Sequence, residues 1–427
     1  MSKLRPIIFW LHLAAGVVAG MVIAIMSFTG VALAFEKEII AWAERDARRV
    51  TPPADAQRLS LDALLAKVRE QHPEARPSGI TVSADPREAV LFSLGRTNAI
   101  YANPYTGEIR PPGAARTRAF MHAMIDWHRY LGAHGDRRPA GKAITGACNA
   151  AFLVLALTGL YLWWPRNWTK KAVRAVAVVS LSLHGKARDF NWHNAIGFWC
   201  APVLIVLTVT AMPISYRWAG DLIYKLTGTE PPPAGASPAQ GGPPVEAPKP
   251  PPGARPLGYD GLLAAAQKGI PAWEQITFRM SGGSPRGGGA PALTNAAPAR
   301  GEGRAESRGG GGGAPAVTVS VKEMDGWPLF ASTQITLDPF TGAVLRREGY
   351  QDYNLGRQVR SWTRFLHTGE ALGLAGQTVA GIASLGALFL VWTGFALTWR
   401  RFFGRKGAAE PLTQDASGTR TSGNQLA

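Results

Sequence analysis

Four long stretches of the chain contain no aspartate, glutamate, lysine or arginine, and the charged residues are confined to the segments between them. These stretches are residues 6–35, 143–165, 190–216 and 371–399. Each is longer than the ~20 residues that an α-helix needs to cross the ~30 Å hydrocarbon core of a bilayer. The pattern predicts four transmembrane helices.

The first apolar stretch is interpreted as a retained transmembrane helix, because it is longer than the apolar region of a secretory signal peptide. Cys148 and Cys200 both fall inside predicted helices. They are expected near opposite faces of the membrane, too far apart to form a disulfide. We therefore interpret both as packing residues.

Basic residues on short flanking segments predict the orientation. Lys3 and Arg5 precede the first helix, the 166–189 connection is rich in lysine and arginine, and more basic residues follow Trp399. Short flanks of this kind stay in the cytoplasm. We therefore expect a bacterial inner-membrane protein with both termini cytoplasmic and with segments 36–142 and 217–370 in the periplasm.

A formal net charge of +17 could indicate a nucleic-acid partner. The basic residues are scattered over loops and tails, however, and no motif that reads bases is present. We expect membrane phospholipid as the anionic neighbour and no nucleic-acid partner.

The chain repeats itself, which predicts an internal duplication. Spans one and three share a histidine, a glycine four residues later and a threonine at equal spacing, and spans two and four share a Thr-Gly pair. The matching residues are His12, Gly16 and Thr29 with His193, Gly197 and Thr210, and Thr158 and Gly159 with Thr393 and Gly394. Two copies of a two-span unit would be parallel and related by a pseudo-two-fold axis along the membrane normal.

The segments between the spans repeat as well. Each has a helical pattern starting at Leu61 or Tyr259, then alternating apolar residues typical of strands, then a Pro-x-Thr-Gly turn at 104–107 or 339–342. We predict two small periplasmic α+β lobes. Segment 230–256 is Pro-rich and is predicted to be an extended linker, and the Gly- and Pro-rich 281–315 is predicted to be a mobile insert in the second lobe.

The predicted organisation follows from these patterns and gives an α-helical membrane protein with two α+β lobes. Its segments are transmembrane helix 6–35, lobe 36–116, pre-membrane and transmembrane helices 117–165, cytoplasmic connection 166–189, transmembrane helix 190–216, linker segment 217–256, lobe 257–350, pre-membrane and transmembrane helices 351–399, and cytoplasmic tail 400–427.

Four histidines are placed in pairs by the duplication. His12 and His193 should face each other near the cytoplasmic side, and His128 and His367 near the periplasmic side. A flat cofactor with an imidazole on each face is the coordination of electron-transfer b-type haems. The absence of a Cys-x-x-Cys-His motif excludes covalent attachment of a c-type haem. The sequence thus predicts two b-type haems with these four axial ligands.

Other interpretations of these residues stay open. A histidine within the membrane can be an interhelical hydrogen-bond donor instead of a ligand. His122, His134 and His184 could replace a nominated ligand. Haem propionates could be neutralised by a further set of residues that could equally contact lipid headgroups, namely Arg129, Arg364, Lys186 and Arg188.

Several motifs together resemble the PepSY-associated transmembrane family, whose members include bacterial ferric-siderophore reductases. They are HLAAG at 12–16, DWHRYLG at 126–132, LTGLYLWWPR at 157–166, FNWHNAIGFW at 190–199, NPYTGEI at 103–109, DPFTGAV at 338–344 and FLHTGEALGLAGQ at 365–377. The resemblance implies PepSY lobes in the periplasm, two b-type haems on His12, His193, His128 and His367, and reduction of ferric chelates. Some relatives carry a fused flavin or nicotinamide module. This chain has none after the last span, so a separate flavoprotein or a membrane quinol is the expected electron donor.

Three functions compete at this stage. The first is a transmembrane reductase that passes electrons through the two haems to a periplasmic ferric chelate such as a ferric siderophore. Bis-histidine iron has no open position, so this transfer would be outer-sphere and no catalytic acid or base is predicted. The second is a haem-free, membrane-anchored binding module that modulates a periplasmic peptidase. The third is a metal or proton carrier that uses the histidines as a relay.

Overall fold

The structure is a computed structural model and describes residues 4–55, 57–74, 76–94, 98–111, 113–164, 168–231, 245, 247–250, 253–280 and 316–403. The predicted insert 281–315 lies outside the described residues, as do most of the Pro-rich linker and of the tail 400–427.

The described chain forms twelve α-helices and eight strands. The helices are α1 (Leu4–Leu33), α2 (Glu36–Ala43), α3 (Arg45–Arg48), α4 (Leu61–Gln71), α5 (Ala115–Tyr130), α6 (Arg138–Trp163), α7 (Lys170–Ala177), α8 (Gly185–Ser215), α9 (Arg217–Leu226), α10 (Tyr259–Gly269), α11 (Leu355–Thr368) and α12 (Gly373–Phe402). The strands are β1 (Gly79–Ser83), β2 (Val90–Leu94), β3 (Asn98–Ala102), β4 (Ile109–Arg110), β5 (Trp273–Arg279), β6 (Val317–Glu323), β7 (Thr333–Leu337) and β8 (Val344–Glu348).

Helices α1, α6, α8 and α12 are long and apolar enough to cross a membrane, as the charge pattern predicted. Helix α1 packs against α6 and α12, and α8 packs against the same two helices. The four therefore form a closed bundle in which α1 and α8 lie diagonally opposite each other. Small residues allow close approach, since a Cβ on Gly386 of α12 would lie only 2.4 Å from the Cys200 Sγ of α8. Both cysteines are free.

Helix α8 begins at Gly185, earlier than the apolar stretch 190–216, so its first turn contains charged residues. Asp189 is 1% exposed, and its carboxylate pairs with Arg188 at 2.9 Å and with Arg400 of α12 at 3.1 Å. These two ion pairs offset the cost of burying the charge. Hydropathy did not predict this early start, because the charge of Asp189 is balanced by Arg400, which is distant in the sequence.

The connection between α6 and α8 is held against the bundle by tryptophan side chains. The indole N–H groups of Trp163, Trp199 and Trp192 donate to the carbonyls of Val176, Ala177 and Ser180, at 2.9–3.0 Å. This connection closes one end of the bundle, called the loop end here. The opposite end, where α5 and α11 lie, is called the sheet end.

Helices α5 and α11 precede α6 and α12 and turn back sharply into them. Helix α5 packs on α1 and α6, and α11 packs on α8 and α12. Leu131, which follows α5, has a positive φ of 52°, and Gly369, which follows α11, has a φ of 79°. These left-handed residues stop each helix and reverse the chain.

All eight strands form one antiparallel sheet in the order β4-β3-β2-β1-β5-β6-β7-β8. Strands β1 to β4 come from the first segment and β5 to β8 from the second. The two halves join where Thr81 of β1 pairs with Thr277 of β5. The prediction of two lobes therefore needs a correction: their strands share a single sheet. The β1–β5 pairing satisfies backbone groups that separate four-stranded sheets would leave at open edges.

Helices α4 and α10 cover one face of the sheet. Their apolar residues pack into a single core with alternate strand residues, including Leu64, Ile80, Phe92, Phe278 and Ile335, all fully buried. Alternation of apolar residues in the strands creates this buried face. The turns of the Pro-x-Thr-Gly motifs connect β3 to β4 and β7 to β8, as predicted, with Gly107 and Gly342 at φ values of 73° and 70°.

Candidate functional site

His12 of α1 and His193 of α8 face each other across the middle of the bundle, toward the loop end. Their ring centroids lie 6.4 Å apart, with the ring planes at 88°. The pairing arises because both histidines occupy diagonally opposite helices at similar distances from the helix start.

The Nδ1 atoms of this pair point away from each other, toward threonines of the flanking helices. His12 Nδ1 lies 2.8 Å from Thr158 Oγ1, and His193 Nδ1 lies 2.9 Å from Thr393 Oγ1. Each threonine hydroxyl already donates its only hydrogen to a carbonyl of its own helix, at 2.6 Å for Thr158 and 2.7 Å for Thr393. Both hydroxyls must therefore accept from Nδ1–H. In a neutral imidazole this leaves Nε2 with a free lone pair.

His128 of α5 and His367 of α11 form the second pair, toward the sheet end, with ring centroids 6.2 Å apart and planes at 52°. His128 Nδ1 donates to the carbonyl of Met26 at 2.9 Å, and His367 Nδ1 donates to that of Leu207 at 2.9 Å. A carbonyl only accepts, so the Nε2 lone pair is again free in both neutral rings. The hydroxyl of Thr29 lies 3.0 Å from the same His128 nitrogen.

The partners of the second pair occupy matching positions in the chain. Met26 follows His12 by the same number of residues as Leu207 follows His193. At a rise of ~1.5 Å per residue, His12 and Met26 lie ~21 Å apart along α1. The two histidine pairs therefore lie at two well-separated depths of the bundle.

The separation of the rings fits a metal held between two imidazoles. An imidazole nitrogen binds a first-row metal at ~2.0 Å and lies ~1.1 Å from its own ring centre, so two opposed rings should have centres ~6.2 Å apart. Both observed separations, 6.4 Å and 6.2 Å, agree with this value. Second hydrogen bonds from the far ring nitrogens, which all four histidines make, are typical of metal-binding histidines.

Glycines next to the threonines place backbone without a side chain beside the imidazole rings of the first histidine pair. A Cβ on Gly159 would lie 3.4 Å from His12 Cε1, and one on Gly394 would lie 3.6 Å from His193 Cε1. Each of these rings is therefore set by a Thr-Gly dipeptide, whose threonine orients the ring and whose glycine leaves space beside it.

The three alternative histidines are not in either pair. His122 lies 3.3 Å from the Asp126 carboxylate one turn along α5. His134 and His184 are exposed and stand just before helix starts. The structure thus brings together the four nominated histidines in the predicted pairs.

The cations nominated for haem propionates lie in different environments. Arg188 is bound to Asp189, and Lys186 is exposed. Arg364 lies one turn before His367 with its guanidinium over the Phe365 ring, and its side chain is exposed. A cation at this position, one turn from a nominated ligand, is suited to pairing with an anionic group. Arg129 follows His128 directly and lies over the Tyr130 ring.

Ion pairs tie both pre-membrane helices to the segments that precede them. Arg118 of α5 donates to the buried Glu44, which also accepts from the Tyr101 hydroxyl at 2.7 Å. Burial, followed by the hydrogen bond to Glu44, raises the pKa of Tyr101 to about 12. Arg357 of α11 pairs with Glu348. Arg118 and Arg357 precede His128 and His367 by equal numbers of residues, so an ion pair anchors each histidine-bearing helix at a similar point, although Glu44 and Glu348 lie at different places in their segments.

The hydrogen-bond partners of the histidines were not among the residues that the sequence indicated. The repeated Thr-Gly pairs were a usable signal for Thr158 and Thr393, since the same dipeptide recurs in the spans that follow the repeated histidine spans. The carbonyls of Met26 and Leu207 left no signal, because every residue has a carbonyl.

Comparison with known proteins gives a single family. The family model described as the PepSY-associated TM region matches residues 9–401. No curated protein matches the chain.

Proposed function

Because this chain belongs to the PepSY-associated TM region family, we propose that it is a transmembrane electron carrier. One b-type haem would be held between His12 and His193 and a second between His128 and His367. Electrons would pass from a cytoplasmic-side or membrane donor to a ferric chelate, such as a ferric siderophore, in the periplasm. The observation that carries the proposal is the presence of two facing imidazole pairs at a metal-binding separation, each with both Nδ1 atoms committed elsewhere.

The protein residues would orient and enclose the cofactor. Bound haem iron supplies reversible one-electron transfer. Thr158 and Thr393 fix the tautomer and rotation of the first pair, and the carbonyls of Met26 and Leu207 do the same for the second pair. With two imidazoles as its protein ligands, the iron would offer no coordination position to a substrate. The chain therefore needs no acid or base for outer-sphere transfer to a chelate.

Two depths suit the distance that an electron must cover. A single carrier would have to span a ~30 Å hydrocarbon layer. The ~21 Å between His12 and Met26 along α1 divides that distance into shorter steps.

The proposed orientation places the loop end in the cytoplasm and the sheet in the periplasm of a bacterial inner membrane. Arg5, Lys170, Lys171, Arg174 and Arg400 are all at the loop end, which the positive-inside rule assigns to the cytoplasm. We also infer an internal duplication. Thr158 and Thr393 contact the two histidines of the first pair, and the carbonyls of Met26 and Leu207 contact those of the second pair, at matching positions in the chain, which supports it.

A reduced-minus-oxidised absorption spectrum of the purified chain with a haem count tests the proposal. We expect two haems per chain, one in His12→Ala or His128→Ala, and none in the double variant. His122→Ala and His134→Ala are matched controls that should retain both. A colourless wild-type protein would overturn the electron-carrier function and favour the haem-free binding module.

A further inference from the structure

A groove of 690 Å³ lies between α1 and α12 in the half of the bundle toward the loop end. Its lining includes Val17 of α1 and, on α12, Trp392, Phe395, Trp399, Arg400 and Phe403. Val17, Trp392, Trp399 and Phe403 are exposed on the outside of the bundle. In a membrane the groove would therefore open toward lipid.

The groove and the first histidine pair lie on opposite faces of the same turn of α12. Thr393 accepts from His193 and Gly394 abuts its ring, whereas the flanking Trp392 and Phe395 line the groove. Phe395 forms the wall toward α1, where a Cβ on Gly20 would lie 2.9 Å from its ring. A helix with its side chains is ~10 Å across, so a molecule in the groove would lie within about that distance of His193.

Two polar residues, Thr398 and Arg400, stand among the apolar residues of the lining, and the Thr398 hydroxyl donates to the carbonyl of Gly394 at 2.8 Å. Arg400 Nε donates to the buried Asp189 at 3.1 Å, which fixes the position of the guanidinium. Within the described part of the chain, the two Nη nitrogens of Arg400 have no hydrogen-bond acceptor. They are available to an oxygen of a bound molecule.

These features together fit a flat ring that carries oxygen atoms and an apolar tail. Aromatic side chains pack favourably against a flat ring, and a guanidinium donates to a carbonyl or hydroxyl oxygen. A tail could leave through the opening toward lipid. A phospholipid offers the anion and the apolar chains but no ring for Trp392, Phe395 and Trp399.

We propose that this groove binds the head of an isoprenoid quinol, which supplies electrons to the first histidine pair. This inference rests on the proposed function. In the reaction both O–H bonds of the quinol break and the ring becomes a quinone. Its two electrons would leave one at a time to the ferric haem that His12 and His193 would hold, with onward transfer to the second haem between the two steps, and its two protons would pass to water at the loop end.

The test measures binding of decylubiquinone to the full chain in nanodiscs by equilibrium dialysis. Ala396 also lines the groove, and Ala396→Trp fills it without removing a polar partner. Arg400→Gln removes the donor, and Arg401→Gln is the matched control, because Arg401 lies over the rings of Phe9 and Trp10 instead. We expect about tenfold weaker binding in Arg400→Gln, the loss typical of one hydrogen bond from a charged group. Ala396→Trp should lose at least as much, and Arg401→Gln should stay within about twofold of wild type.

Reduction of bound haem by decylubiquinol and by dithionite separates the two proposals. Reduction by dithionite without saturable quinone binding would overturn the groove assignment and leave the electron-carrier function standing. Quinone binding unchanged in both groove variants would also overturn it. If cardiolipin bound in the groove and quinone did not bind, the groove would be a phospholipid site and the quinol assignment would be wrong. Groove-dependent quinone binding to a haem-free protein would refute the electron-carrier function and the electron supply from the quinol, and would leave only the groove as a quinone-binding site.

Discussion

Asp62 and Asp260 each cap the other's helix where the two halves of the sheet domain meet. The Asp62 carboxylate accepts from the N–H groups of Tyr259 and Asp260, at 3.1 and 3.3 Å, in the first turn of α10. The Asp260 carboxylate accepts from Leu61 and Asp62, at 2.7 and 3.2 Å, in the first turn of α4. Backbone donors at a helix start need such acceptors. These exchanged caps therefore connect the two halves of the sheet domain and also cap helices α4 and α10.

This exchange predicts a crossed effect of mutation. Asp62→Ala, although in α4, should speed amide hydrogen exchange in the first turn of α10 about tenfold, because a lost cap costs ~1 kcal/mol or slightly more. Asp260→Ala should do the same to α4, where the Ser60 hydroxyl still caps Ala63 at 3.1 Å and limits the effect. The exposed Asp55→Ala is the control. Faster exchange only in the helix that carries the substitution would contradict the exchanged caps.

The threonine partners of the first histidine pair should affect the midpoint potential and the retention of the haem proposed there. Thr158→Val or Thr393→Val leaves an Nδ1–H without its acceptor, so the imidazole becomes a poorer electron donor to iron. We expect a more positive midpoint potential for one haem and 10- to 100-fold weaker haem retention at that site, the usual cost of losing such a partner. Potentiometric titration of the haem absorption bands measures both sites.

A matched control for this experiment exists on the same helix as Thr393. Thr378 of α12 also donates to a carbonyl one turn back, at 2.8 Å, but it is exposed and contacts neither histidine pair. Thr378→Val should leave both potentials unchanged. An equal shift in Thr378→Val and Thr393→Val would show that the hydroxyl acts on the helix and not on the histidine.

The two Pro-x-Thr-Gly turns should respond differently to acid. The N–H of Phe340, and then the Thr341 hydroxyl, lower the pKa of the Asp338 carboxyl below its usual range. A lowered pKa contributes stability that is present above the unfolded-state value of ~3.9 and is lost as the pH falls through the folded-state value. The first turn has the uncharged Asn103 in place of this aspartate.

Asp338→Asn therefore makes the second turn resemble the first and should remove this acid-dependent loss. Urea unfolding of the full chain at several pH values between about 5 and 2 measures the difference between wild type and variant. Parallel curves for the two proteins would mean that Asp338 is not the group responsible.

The sequence identified the apolar helices and the four histidines, because absence of charge and repetition act over long, regular stretches. It could not show that Thr81 and Thr277 pair between the halves, since alternation predicts strands and not their neighbours. The early start of α8 depends on the contact between Asp189 and Arg400, which lie on different helices. For the same reason, the sequence did not indicate that the carbonyls of Met26 and Leu207 accept hydrogen bonds from His128 and His367. Contacts between distant segments were therefore the part that local patterns missed.

Gly141 and Gly376 hold the second histidine pair in place by allowing close contact after each sharp turn. A Cβ on Gly141 would lie 2.1 Å from the Tyr130 carbonyl oxygen at the end of α5, and one on Gly376 would lie 2.3 Å from that of Gly369. Backbone at these distances cannot make room by a side-chain rotation. Gly141→Ala or Gly376→Ala should therefore push the turn away and displace His128 or His367.

We expect each of these variants to lose the haem of the second pair and keep that of the first, giving one haem per chain. The shift of backbone should also destabilise the protein by ~1–3 kcal/mol, as overpacking does. Gly113→Ala is the control, because nothing lies within 4 Å of its Cβ position. Two retained haems in Gly141→Ala would show that the turn does not position His128, whereas loss of both would indicate general misfolding, which a circular dichroism spectrum of the purified variant would reveal.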